Sequence, residues 1–201
     1  MKPSKIIIAI FGLVALAQLF VPAQMIWNRE QVLVQGVSYK FKTEPIDPVD
    51  PFRGRYVWLN FSEDRFQPTA EEFEAYEYGE AYYLSFEVDA QGFAKIVSAD
   101  SIPPADTEAF LKTEITYKRN WDSTYTLQFD YPFDQFYMEE SIAPIAEEAF
   151  RAANRDSIRN TYAIVRIHQG TAIVDEVMVD DIPLGTWAQE YWEALPDSLK
   201  P

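Results

Sequence analysis

The chain has no cysteine, one histidine (His168) and only seven glycines in 201 residues. The first absence removes disulfides, thiolate metal sites and cysteine nucleophiles, and a single histidine removes any multi-histidine metal cluster. Acid–base catalysis would have to rest on carboxylates. With so few glycines, turns must lean on Asp, Asn and Pro. Positive charge is also scarce, since 17 Lys and Arg stand against 32 Asp and Glu, for a net charge of −15. A surface this acidic, without a Lys/Arg cluster, repels phosphate backbones, so nucleic-acid binding is excluded as a function class. There is no Gly-rich phosphate loop, Gly-X-Ser-X-Gly or His-Glu-X-X-His, and no cofactor is implied. His168 has no Ser or Asp in a recognisable relation to it and reads as a plain turn histidine.

What the chain does have is apolar mass: 48% hydrophobic and 15% aromatic residues. That suffices for a full core, so the charge belongs to a solvated surface and not to a disordered acidic tract. The length suits one domain, or one domain with an appendage. Residues 1–35 hold Lys2, Lys5 and Arg29 against Glu30, a net of +2, which leaves −17 for residues 36–201.

No charged side chain lies between Lys5 and Arg29. As a helix rising about 1.5 Å per residue, positions 6–28 span roughly 34 Å, enough to cross a bilayer. Trp27 stands where an interfacial aromatic would, and Lys2 and Lys5 favour a cytoplasmic N-terminus. Residues 1–30 are therefore expected to be a membrane anchor, inserted by residues 6–27. A signal peptide cleaved after Val21-Pro22-Ala23 competes with this reading. A buried core helix is a third, and fits less well because the apolar residues run all round the helix. The anchor places the chain in the cytoplasmic membrane as a single-pass protein, with residues 31–201 as a soluble domain on the outer or periplasmic side.

The body reads as strands and short helices. Residues 32–51 form a linker entering a first strand, in which Val37, Tyr39 and Phe41 alternate with polar residues before Pro45, Pro48 and Pro51 forbid a helix. In 56–61, Tyr56, Trp58 and Asn60 share one face and Val57, Leu59 and Phe61 the other, as in a strand covered on both sides. Thr69 and Glu72 make a capping box for a short helix that Gly79 stops. Residues 82–88 and 93–99 form a hairpin turning through Gly92. Strands at 123–131 and 133–139, a helix at 144–153 and a hairpin at 162–179 turning at Gln169-Gly170 follow. A tail helix at 187–199 packs Trp187, Tyr191, Trp192 and Leu195 on the sheet. About eight strands and three short helices predict an α+β domain, mainly antiparallel β. The order strand, helix, hairpin, Ile-Pro occurs twice, so 52–104 and 121–184 are expected to be related halves sharing one core.

The most distinctive stretch is Asp47-Pro48-Val49-Asp50-Pro51-Phe52-Arg53-Gly54-Arg55-Tyr56-Val57-Trp58-Leu59-Asn60-Phe61. It resembles the GDYXXLXY family, in which an Asp-Pro, an Arg-Gly-Asp-Tyr and a Leu-X-Tyr strand follow an N-terminal membrane helix. Asp50-Pro51, Arg53-Gly54, Tyr56 and Leu59 match; Arg55 replaces the family's Asp and Phe61 its final Tyr. No role of that Asp can be carried over. The later Phe136-Tyr137-Met138-Glu139 is similar to the family's aromatic pair and Glu. The resemblance implies an exported domain of unknown biochemical role on a bacterial membrane tether, a companion of a membrane-protein partner, with no catalytic assignment to inherit.

On the residues alone, the motif has two readings. Pro51 fixes φ, Gly54 permits a tight turn, and Arg53 pairs with Asp50 or Asp47 to hold the strand entrance. Alternatively, Arg53 and Arg55 face a cleft and meet a carboxylate on a ligand or partner. The candidate binding residues are thus Asp50, Arg53, Arg55, Tyr56 and Glu139, within an interaction or accessory module of an envelope complex. The competing function is a hydrolase using Glu139 with a second acid, Glu140, Glu147 and Glu148 lying nearby, on a polysaccharide or envelope substrate.

Overall fold

The computed structural model describes residues 3–45, 56–122, 124–156 and 158–196. The first helix, α1 (Pro3–Gln35), runs unbroken through Pro22. Its large apolar side chains point outward on every side, with Phe11 at 73% and Leu19 at 71% exposure. The body covers none of these side chains before Val32, which is buried against it, and by length and composition α1 is able to cross a membrane. The expected linker at residue 32 does not exist, because the helix continues to Gln35 and a single residue, Gly36, separates it from β1 (Val37–Lys42). The Gly36 N–H donates to the Val32 carbonyl at 2.9 Å and closes the last turn. A Cβ at Gly36 would lie 2.3 Å from that carbonyl oxygen and 3.1 Å from Arg166 Cβ. Only glycine lets the chain pass directly from helix to strand here.

After β1 come β2 (Tyr56–Trp58), β3 (Arg65–Phe66), α2 (Ala70–Ala75), β4 (Ala81–Val88), β5 (Ala94–Asp100), β6 (Phe110–Trp121), β7 (Thr124–Phe129) and β8 (Gln135–Tyr137). Then follow α3 (Ala143–Arg155), β9 (Thr161–His168), β10 (Thr171–Val179), β11 (Ile182–Pro183) and α4 (Leu184–Ala194). The strands form a four-stranded sheet, β1-β9-β10-β11, a five-stranded sheet, β3-β7-β6-β4-β5, and a two-stranded ribbon, β2-β8. Every strand pairing is antiparallel, so the fold is α+β and mainly antiparallel β, as the sequence led us to expect.

Several boundaries shift for identifiable reasons. The capping box of α2 forms, with the Thr69 side chain accepting from Glu72 N–H and Glu72 reaching back, but the helix ends at Ala75 and not at Gly79. Tyr76 turns extended and its hydroxyl donates to the Ala99 carbonyl at 2.7 Å, while Gly79, at φ +80°, makes the later turn into β4. In motif residues 56–61 one face is buried, with Val57, Leu59 and Phe61, and the other is only partly covered, with Tyr56 and Trp58 half-buried and Asn60 exposed. The tail helix starts earlier, at Leu184, and packs on α3 as well as on β10. His168 flanks the Gln169-Gly170 turn as the last residue of β9, pairing with Thr171, and is buried there with Nδ1 3.7 Å from Glu108.

Phe41 of β1 joins the sheets. It is fully buried, and its ring meets Phe86 of β4 at 5.2 Å, Phe133 at 5.4 Å and Tyr131 at 5.7 Å. A second joint is the Gln169-Gly170 turn, whose N–H groups donate to the carbonyls of Glu108 and Phe110 at 2.7 and 2.8 Å. Positive φ at both turn residues gives the two-residue hairpin its twist. The order strand, helix, hairpin does occur in both halves, with β4–β5 in one sheet and β9–β10 in the other. That 52–104 and 121–184 derive from one duplicated unit is a proposal resting on this shared order.

Candidate functional site

The β2–β8 ribbon brings together two segments that the sequence singles out separately. Tyr56 lies opposite Tyr137, Val57 opposite Phe136 and Trp58 opposite Gln135. Period-2 alternation sends Val57 into the core and leaves Tyr56 and Trp58 half-exposed. The Tyr56 ring contacts Trp58 at 5.5 Å and Tyr137 at 5.7 Å, and Tyr137 is 67% exposed. The Leu59 N–H, donating to the Asp134 carbonyl at 2.8 Å, extends the pairing beyond the ribbon. The result is an outward-facing aromatic patch on a backbone fixed by the core beneath it.

A cavity of about 380 Å³ opens beside the ribbon, with Trp58, Asn60, Asp64, Asp130, Tyr131 and Asp134 in its lining. Asp64 accepts from Gln128 Nε2 at 2.6 Å, and its other oxygen accepts no hydrogen bond among the described residues but lies 3.4 Å from Arg65 Nε in an ion pair. Burial pushes the Asp134 carboxyl above the ordinary range, its own backbone N–H opposes this, and Asp130 adds to it. Behind the cavity, burial also raises the Glu63 carboxyl, although the Ile96 N–H donates to it at 2.9 Å. The Tyr131 hydroxyl donates to the Glu63 carbonyl, and burial lifts its phenol well above the usual value. An acidic cavity with an indole in its wall favours cations and hydrogen-bond donors. Among the described residues no three His, Cys, Asp or Glu side chains are placed to hold a metal ion.

A second cavity, of about 260 Å³, lies between Arg29 near the end of α1, residues of β8 and the start of β10. It places the ribbon beside the foot of the apolar helix.

Of the residues expected to form a site, Tyr56 stands in the ribbon, while Asp50, Arg53 and Arg55 lie outside the described residues. Glu139 is exposed; Ser141 donates to its carboxylate at 2.9 Å, and its backbone carbonyl accepts from Ile142 and Ala143 ahead of α3. It lines neither of the two cavities described above. Glu147 is tied to Arg151 at 2.8 Å, one turn along α3. Trp58 and Asp134 join the site without having been among the residues expected to form it. Trp58 was legible as the partner of Tyr56 on its strand face; nothing in the sequence marks Asp134. A family model described as GDYXXLXY protein matches residues 18–177. No curated protein and no solved structure matches the chain.

Proposed function

The chain belongs to the GDYXXLXY family, and on that premise we propose that it is a membrane-tethered accessory module of an envelope complex. In this reading α1 crosses the cytoplasmic membrane once, and the body stands on the outer or periplasmic side. The β2–β8 ribbon is then the surface that meets a membrane-protein partner.

One observation carries the reading. Tyr56–Trp58, the described start of the motif strand, and the later aromatic segment close on each other as a single ribbon, beside Arg29 near the end of the apolar helix. Aromatic rings on a rigid support lose little side-chain freedom on binding and bury large areas, which is why they anchor interfaces. The direct joint through Gly36 supports the placement, because a body without a linker stays close to the plane in which a membrane partner lies. The acidic surface fits a module that is kept off anionic lipid except where its helix enters.

Alkaline carbonate extraction of membranes containing the full chain, followed by co-purification in mild detergent, tests both parts. The reading predicts retention in the membrane pellet and recovery with a stoichiometric membrane protein. Release into the carbonate supernatant would contradict the tether, and recovery as a free monomer in several detergents would contradict the complex.

A further inference from the structure

We propose that the cavity at the foot of α1 holds the phosphate of a membrane phospholipid, gripped by Arg29 and Gln135. The inference rests on the reading of α1 as a membrane anchor and adds a ligand to it. Arg29 follows the apolar stretch by two residues, about 3 Å along the axis from Trp27 at a rise of about 1.5 Å per residue. With residues 6–27 in the hydrocarbon, Arg29 stands at headgroup level. Helices often end in a cation there, but this one is set into a concave site. Arg29 shares a cavity of about 260 Å³ with Gln135 and with the apolar Pro132, Ile173 and Val174.

The chemistry on the walls divides as a phospholipid's does. Arg29 is exposed and forms no ion pair among the described residues, so its planar donors are available to a phosphate. The Gln135 carbonyl oxygen accepts the Tyr137 hydroxyl at 2.8 Å, which leaves its amide N–H groups free to donate. Pro132, Ile173 and Val174 offer the glycerol and upper acyl carbons an apolar wall. At about 30 Å³ per water, the volume equals roughly nine waters, room for a phosphate ester with part of its glycerol. Asp134 also lines the cavity and opposes an anion, so the formal charges of the lining cancel and a phosphate is held only where the Arg29 and Gln135 donors reach it directly. The occupant is continuous with the surface that α1 already enters, which favours lipid over a soluble anion.

The test is native mass spectrometry of the full chain, delipidated in detergent and titrated with dioleoylphosphatidylglycerol. The wild type should retain one lipid, and Arg29→Gln should weaken retention about tenfold, equivalent to about 1.4 kcal/mol. Gln135→Glu, which adds a second carboxylate without touching α1, should weaken it similarly, while Lys5→Gln at the far end of the helix should leave it unchanged. Excess inorganic phosphate should not displace the lipid. Equal retention by Arg29→Gln and wild type, equal loss in Lys5→Gln, displacement by phosphate, or no retained lipid would each overturn the proposal. Carbonate extraction separates the two levels: a chain that stays in the membrane yet is indifferent to residue 29 sinks the lipid site alone, and a chain that is extracted sinks the anchor with it.

Discussion

Tyr56 and Tyr137 face each other across the β2–β8 register, with ring centroids 5.7 Å apart and planes inclined by 57°. They come from opposite halves of the chain, so their contact reports on the tertiary fold and not on local sequence. Tyr56→Ala and Tyr137→Ala should each destabilise the body, and the double variant should fall short of the sum by about 0.5–1.5 kcal/mol. Urea unfolding of the four chains of this cycle measures the coupling. Strict additivity would mean that the rings pack independently.

Gly170 is predicted to be less replaceable than Gly92, although both have positive φ, +84° and +89°. A Cβ at Gly170 would lie 3.2 Å from Lys112 Cβ, whereas one at Gly92 meets nothing within 4 Å. Both Ala variants should lose about 1–2 kcal/mol from the left-handed backbone. Gly170→Ala should lose more, because it also wedges apart the turn and β6. Thermal unfolding of the two variants side by side gives the comparison, and equal losses would mean that the β6 contact yields freely.

Much of the architecture was legible because its signals are local. The Thr69–Glu72 capping box, the Gly92 turn and the Gln169-Gly170 hairpin all sit where the residues placed them. The longest strand, β6, is hard to see in the sequence, though Leu111, Thr113 and Ile115 alternate inward against Lys112, Glu114 and Thr116. Its outer face is so polar that the stretch shows no apolar run, and only its place between β4 and β7 makes it a central strand. The end of α1 is obscured for the opposite reason. Residues 28–35 lose the apolar run, so the segment resembled a linker, but burial of Val32 and the turn at Gly36 keep it helical. Of the candidate site, Tyr56 and the 136–139 segment could each be picked out from the sequence, but their pairing could not. Register between distant strands is set by the core under Val57 and Leu59, which no single segment encodes.

Asp134→Asn should change how stability depends on pH. The folded-state pKa of Asp134 is raised by burial, so over the window from its unfolded value up to that raised value the native state holds the proton more tightly. Stability from this group is present below the unfolded pKa and is lost as pH rises through the folded one. The Asn variant should therefore gain on the wild type as pH climbs from the ordinary carboxylate range to neutrality, with the gap closing in acid. Denaturant midpoints at several pH values read this directly, and a gap that widens toward low pH would reverse the assigned sign.

Gly36→Ala should loosen the joint between helix and body, because its Cβ would overlap the Val32 carbonyl. The chain has no native cysteine, so single labels at introduced Cys residues on α1 and β1 report the geometry without interference. Electron paramagnetic resonance should give one narrow distance distribution for the wild type and a broader one for the variant. Equal widths would mean that the joint tolerates a side chain.

The central claim is that the ribbon beside α1 meets a membrane partner, and site-specific photocrosslinking in native membranes tests it most directly. A benzophenone amino acid at Tyr137 should give one discrete adduct with an integral membrane protein. The same probe at Trp121, an exposed aromatic at the end of β6, should give none. No adduct at position 137, or the same adduct from both positions, would contradict the account.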